Sequence, residues 1–384
     1  MLIVALSRRI EKFKNRVKIG CFSLIPLIVI VTGFEISLQL FEPSWMECIR
    51  TRACPTHDHN PVFLTQQPSN FSLETHEPLF VYHPRYFWWS RPNVEGTFWS
   101  TPQVRTNSLG LRDDESDYSG VERRVLILGD SVVWGSLVEE YQRFGEVAQG
   151  LLKAIPGYAD IRVVNGGVLG FSSFQVLTYL EAEALNTIKP SVVVICVGIN
   201  DNWPHHRTDI ETYELNMTFQ NRLRRSLIRS NLYLLCDRYL REFMVWARTG
   251  RNPTGLSFIF REDSTERSVL RNDPFESEAN ILHAIHAIRT FGAEPVLILE
   301  DIRDLQPAGF DALAFRVARK KVRHLAGNNG VSVLEIERLR DQPYSLAKND
   351  YLMDFCHLHP RGHIIIGEWL AQTIQEILPR AELP

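Results

Sequence analysis

Val125-Leu-Ile-Leu-Gly-Asp-Ser-Val-Val-Trp-Gly135 begins as a short apolar run and stops abruptly at Gly129, Asp130 and Ser131. The run is rich in leucine and β-branched residues, too short for a helix, and follows the charged pair Arg123 and Arg124. That pattern predicts a central parallel strand covered on both faces. Val132, Val133 and Trp134, then a stretch of mixed polarity with Glu139, Glu140 and Arg143, read as a tight turn and the start of a helix. Ser131 then stands at the carboxyl end of a strand, where open α/β sheets hold their ligands. It also lies beside a helix N-terminus, whose partial positive charge favours an alkoxide. Taken alone, Gly-Asp-Ser is equally an ordinary turn with a capping serine. Other stretches have to decide.

Four further short runs read as strands, at residues 161–165, 191–198, 295–300 and 331–336. Helical patterns separate them over 144–154, 174–185, 280–290 and 310–326, and a last helix is expected over 359–378. Strands alternating with helices predict an α/β fold, a doubly wound and mostly parallel five-stranded sheet with right-handed crossovers, over residues 121–384. The interval of about 202–277 is too long for a simple crossover and is expected to be an insertion beside the site, with a basic helical stretch over 221–248. Residues 42–120, rich in Pro, His, Thr and aromatics without sustained periodicity, are expected to be an irregular lead segment, packed on the domain or partly extended as a stalk.

Apolar content of 45% and charged content of 23% are ordinary for a globular chain with a real core. A formal net charge of -3 leaves no field that would attract nucleic acid. Six cysteines in 384 residues do not make a disulfide scaffold. Cys48 and Cys54 could bridge if their segment is extracytoplasmic, whereas Cys196 reads as a buried thiol. Near the start, Arg8, Arg9, Lys12, Lys14, Arg16 and Lys18 face one acid, Glu11, and residues 19–34 carry no charge. Continued to Phe41, this run is long enough at about 1.5 Å per residue to cross a hydrocarbon core of ~30 Å. Glu35 falls in its last third, where a carboxylate can reach the interface. The expectation is a cytoplasmic tail over 1–18, a single transmembrane anchor over 19–41 and the rest of the chain outside, in a periplasm. A cleaved signal peptide is the competing reading, and no small-x-small site follows the run.

Three of the strands end in polar blocks: Gly129-Asp130-Ser131, Asn165-Gly-Gly-Val-Leu-Gly170 and Gly198-Ile-Asn200-Asp201. Asp354-Phe-Cys-His357 stands before the last helix. In a doubly wound sheet these points converge on one edge. They bring together a hydroxyl, a glycine amide, a carboxamide, an imidazole and a carboxylate, which are the parts of an acyl-transfer site. His357, His359 and His363 offer a rival reading as a metal site of His-x-His-x-x-x-His spacing. Asp130 and Asp201 read as turn or cap residues.

Taken in this order, the four blocks resemble the SGNH hydrolases, the broad family of GDSL-type esterases and lipases. The resemblance covers about residues 123–378 and implies an SGNH/flavodoxin-like fold. By it, Ser131 is the expected nucleophile, His357 the general base and Asp354 the acid that orients it. The Ser131 and Gly170 amides and the Asn200 side chain form the expected oxyanion hole. No cofactor and no metal are implied, and the expected partners are a small-molecule or glycan ester and, through the N-terminal helix, a membrane. Arg105-Thr-Asn-Ser-Leu-Gly-Leu-Arg112 is similar to the lead-in of bacterial membrane-anchored members. Val132 replaces the leucine of the family's name motif. The expected activity is hydrolysis of carboxylic esters, O-acyl or O-acetyl groups foremost. A cell-envelope O-acetyltransferase with the same triad and a non-catalytic binding protein on the same fold are the alternatives.

Overall fold

The computed structural model describes residues 29–40, 46, 72–73, 79–98, 101–114, 123–250, 268–304, 307, 309–341 and 343–381. They divide between two compact units, the smaller drawn from Met1–Thr56 and Phe219–Arg261, the larger from His57–Thr218 and Glu262–Pro384.

The larger unit is built on five parallel strands: β1 (Arg124–Gly129), β2 (Arg162–Gly167), β3 (Val192–Cys196), β4 (Glu294–Leu299) and β5 (Ser332–Glu335). Their spatial order is β5-β4-β3-β1-β2. Side chains of β1 alternate between two cores, as a strand's period of two requires. Val125 and Ile127 pack with Phe144, Leu152, Ile366 and Ile374, while Leu126 and Leu128 pack with Val176, Leu180, Ile281 and Ile285. Helices Phe144–Lys153 and Pro360–Ile377 therefore cover one face, and Ser173–Tyr179 and Pro274–Phe291 the other. Each fully buried aliphatic of this kind contributes roughly 1.5–3 kcal/mol. β2 and β3 flank β1 on opposite sides, so the chain changes winding direction at the end of β1. That is the switch point at which such sheets bind ligands.

Several boundaries differ from expectation for local reasons. Helix Pro274–Phe291 starts six residues before 280 because Asp273 caps it, accepting from the Phe275 and Glu276 amides at 2.7 and 2.9 Å, with Pro274 in the first turn. The basic stretch over 221–248 is two helices, Phe219–Leu227 and Asn231–Thr249, the second capped by Ser230. The insertion is narrower than 202–277: Pro204–His205 pairs antiparallel with Val269–Leu270, which returns both ends to the larger unit.

The lead segment needs the largest correction. Its described part is not irregular. Phe80–His83 pairs with Phe87–Ser90, and Glu95–Phe98 with Thr101–Arg105. Its aromatics belong to the core beneath the sheet: Trp88 meets Phe171 edge-on at 5.8 Å and donates its Nε1–H to Leu169 O, and Phe98 meets Trp134 at 6.1 Å. Burial of these rings against partners distant in sequence, not periodicity within the segment, holds the hairpins in place.

Among the described residues no helix is long and apolar enough to cross a membrane. Of the expected anchor 19–41, residues 29–40 are helical and the others lie outside the described residues, as do the tail 1–18, Cys48 and Cys54. Cys196 is buried and free, in line with its apolar setting.

Candidate active site

β1 reaches the site by close approach. A Cβ on Gly129 would fall 2.2 Å from Cys196 O, and one on Gly167 2.3 Å from Trp134 N, so only glycine lets β1, β2 and β3 close around the turn. Asp130 is buried and caps the short helix Ser131–Trp134, its Oδ1 accepting from the Val132 amide at 2.8 Å. The second block supports the same turn: Asn165 donates to Val133 O at 2.9 Å and accepts from the Gly167 amide at 2.9 Å. Ser131 is thereby presented at the C-terminal edge of the sheet.

Arg105–Arg112 supplies a clamp. Asn107 Oδ1 accepts from the Leu109 and Leu111 amides at 3.0 Å, shaping the turn that aims Arg112. Buried Arg112 donates to Trp134 O (2.9 Å), Gly135 O (2.6 Å), Val138 O (3.2 Å) and Gln103 O (2.6 Å), and its guanidinium lies 4.4 Å from the Trp134 ring centroid.

Gly170 has φ +75°, a left-handed conformation that glycine adopts without strain. Its carbonyl accepts from Arg271 Nη1 at 2.7 Å, and Arg271 also pairs with buried Asp209 at 3.1 Å. Asp201 joins this framework, accepting from the Ser173 amide, Asn272 and Ser277 at 2.8–2.9 Å. Among the described residues neither the Ser131 nor the Gly170 amide has an acceptor. Asn200 is different: its Nδ2 donates to Asp130 Oδ2 at 2.7 Å and to Phe171 O at 3.1 Å, so both carboxamide hydrogens are engaged.

From the opposite side of the turn, His357 Nε2 lies 2.8 Å from Ser131 Oγ and His357 Nδ1 lies 2.6 Å from Asp354 Oδ2. The other Asp354 oxygen accepts from the Cys356 and His357 amides at 2.9 and 2.8 Å, which fixes the loop. Burial alone would raise the Asp354 pKa. The His357 hydrogen bond and charge, with those amides, outweigh it and hold the carboxyl at about 2. An ionised Asp354 favours a proton on Nδ1, leaving Nε2 to accept from Ser131. Phe355, inside this loop, packs edge-on against both Trp203 (6.0 Å) and Phe310 (5.7 Å), giving the loop an aromatic wall.

Glu300 is the group that sequence reading missed. It follows β4 directly, is buried, and accepts from the Ile199 amide at 2.9 Å. It also hydrogen-bonds Asp130, and burial raises both carboxyls, Asp130 to about 6 and Glu300 well above its ordinary range. The neighbouring Asp130 charge adds to burial in raising Glu300, while the Glu300 hydrogen bond opposes burial at Asp130. A charged residue directly after a buried strand, at the edge where the other blocks end, was the available signal.

The rival histidine reading does not assemble. His359 caps the last helix, accepting from the Arg361 amide, and buried His363 accepts from the Phe144 amide at 3.2 Å. Burial, then the charges of Arg143 and Arg112, pull His363 down to about 3. A depressed base contributes stability present above its unfolded pKa of about 6.5 and lost as pH falls toward its folded value. Asp113 and Asp130, both pushed up to about 6 by burial, run oppositely between pH 4 and 7, so the wild-type profile alone is uninformative. The informative quantity is the stability gap between wild type and His363→Asn, whose Oδ1 can replace the imidazole as acceptor. Urea unfolding is expected to show that gap narrowing by about 3 kcal/mol from pH 7 to pH 4. A gap independent of pH would mean that His363 is not held neutral.

Residues 127–365 match the GDSL-like lipase/acylhydrolase family. Among solved structures the chain is similar to the lipase/acylhydrolase from Enterococcus faecalis (16% identity, 68% of this chain and 100% of that one, TM-score 0.42). It is also similar to an acetylxylan esterase from Geobacillus stearothermophilus, solved as a catalytic mutant (15%, 70% and 100%, TM-score 0.40). A member of the lipolytic G-D-S-L family from Veillonella parvula gives 14%, 67% and 100%, with a TM-score of 0.41. No curated protein matches the chain.

Proposed function

The chain belongs to the GDSL-like lipase/acylhydrolase family, and from that premise we propose that it is a serine esterase that removes O-acyl groups, acetyl foremost, through an acyl-enzyme. The observation that carries this reading is the unbroken chain Ser131 Oγ, His357, Asp354, at 2.8 and 2.6 Å. In the first step Ser131 Oγ attacks the ester carbonyl while its proton passes to His357 Nε2, and Asp354 steadies the imidazolium. The oxyanion is met by the Ser131 and Gly170 amides. Asn200 joins them through the hydrogen it shares with Phe171 O, the longer of its two bonds. The carbon–oxygen bond to the alcohol then breaks and His357 returns the proton to that alcohol. Water repeats the sequence on the acyl-enzyme, giving its proton to His357, and Ser131 leaves as the restored hydroxyl. The same reading puts residues 19–41 in a membrane as a single anchor, with the tail 1–18 in the cytoplasm and the catalytic unit on the outer side of the inner membrane. Its support is the basic flank before an uncharged run.

A fluorophosphonate probe tests the chemistry. A single covalent adduct on Ser131, formed in step with loss of p-nitrophenyl acetate hydrolysis, is the expected result. Hydrolysis that persists with Ser131 fully modified would rule the serine mechanism out.

A further inference from the structure

One helix of the smaller unit turns an apolar face outward. In helix Asn231–Thr249, among the described side chains, Tyr239, Leu240, Phe243, Met244, Trp246 and Ala247 are exposed on one face, with Leu240 58% and Phe243 59% exposed. Its described charged side chains, Asp237, Arg238 and Glu242, lie half-buried and paired: Asp237 with Arg224 at 3.3 Å, and Arg238 with Glu242 at 2.8 Å. A surface helix in water shows the opposite arrangement. Helix Phe219–Leu227 adds Phe219, Leu223 and Leu227, one turn apart and all exposed, with the exposed Arg222 and Arg229 alongside. Residues 29–40 of the same unit form a helix exposed at every position except Glu35 and Leu38.

Glu35 ties these pieces together. Its carboxylate accepts from Ser230 Oγ at 2.9 Å and from the Asn231 and Leu232 amides at 2.6 and 2.8 Å, so it caps the start of the inverted helix. The acid that interrupts the apolar N-terminal run is thus matched by donors from the insertion. We propose that the insertion is a lipid-docking element, in which helices Phe219–Leu227 and Asn231–Thr249 lie in the interface of an anionic bilayer beside the N-terminal helix. A folded partner covers one face of a helix, whereas an apolar helix bare on nearly all sides suits a fluid apolar surrounding. Tyr239 and Trp246 are the residue types that favour the headgroup boundary, and Arg222 and Arg229 complement anionic headgroups.

The inference rests on the membrane attachment proposed above and is independent of the esterase chemistry. Because an anchor alone would hold the chain on vesicles, the test reads depth at one residue. The full chain is reconstituted into vesicles of phosphatidylcholine with phosphatidylglycerol, and Trp246 emission is taken as wild type minus Trp246→Phe. Lipids brominated near the headgroup are expected to quench that difference by about twofold or more, and aqueous iodide to leave it nearly unchanged. Leu240→Glu with Phe243→Glu should reverse the two accessibilities while ester hydrolysis, reporting a folded catalytic unit, stays at the wild-type rate. Arg222→Gln with Arg229→Gln should remove the excess quenching seen over pure phosphatidylcholine vesicles. If iodide reaches Trp246 and bromine does not, the docking element is refuted. It is equally refuted if neither quencher reaches Trp246 and the chain sediments as a dimer, for then a second copy covers the face. A chain that fails to float with vesicles overturns the anchor as well. No preference for phosphatidylglycerol in the wild type overturns the anionic part.

Discussion

Ser131→Ala and His357→Ala are each expected to lower kcat for p-nitrophenyl acetate hydrolysis by roughly 10⁴-fold or more, and the double variant to fall scarcely further. In the proposed mechanism Ser131 supplies the attacking oxygen, and His357 Nε2, 2.8 Å away, takes its proton. With either gone the other has nothing to act on, so their effects do not add. KM should change little, because neither side chain is needed to hold the ester in place. Residual activity above the uncatalysed rate should persist, since the Ser131 and Gly170 amides still face a developing oxyanion. Steady-state kinetics on the three variants, each checked for folding by circular dichroism, decide the matter. Losses that multiply in the double variant would mean that the two residues act separately, and the acyl-enzyme reading would fall.

Arg112→Ala should destabilise the larger unit by about 3 kcal/mol, a drop of roughly 5–10 °C in Tm. Two effects oppose each other here. Burial, then the charge of Arg143, pull the Arg112 pKa down to about 9, so the guanidinium is held at a desolvation penalty that truncation would relieve. Truncation also strands four carbonyl oxygens and removes the packing on Trp134. Each stranded carbonyl costs roughly 1–3 kcal/mol, so the loss outweighs the relief. Arg112→Met, which keeps the packing, should lose less. Since three of the carbonyls belong to Trp134–Val138, directly after Ser131, kcat should also fall in Arg112→Ala at temperatures where the chain is folded. Urea unfolding showing a loss below about 1 kcal/mol would mean that water replaces the guanidinium without penalty.

The sheet was legible because each strand carries its own signal. A buried parallel strand reads as a nearly continuous apolar run, and 125–128, 192–196 and 295–299 are such runs, while 161–165 and 331–336 are β-branched stretches broken by Arg162, Asn165, Ser332 and Glu335. The polar blocks after three strands were legible for the same reason, since topology obliges the strand ends to meet. The lead segment was not. Phe80, Trp88 and Phe98 have no periodicity to read, and their partners Phe171 and Trp134 lie far along the chain. Glu300 and Arg271 were passed over because a charge acquires meaning only from what surrounds it.

By itself the sequence determined an α/β chain with a parallel five-stranded sheet, the residues that end its strands, and a basic-then-apolar N-terminal stretch. These are local quantities, written in runs of side-chain polarity that any segment shows alone. Only the tertiary structure decided that Asn200 spends both hydrogens on Asp130 and Phe171, that the Asp130 and Glu300 carboxyls are buried together, and that Arg112 clamps the turn after Ser131. Only it revealed that Glu35 caps a helix some two hundred residues away. Hydrogen bonds depend on distances of a few tenths of an ångström between groups remote in sequence, and burial on what the rest of the chain covers. Neither is a property of any one stretch.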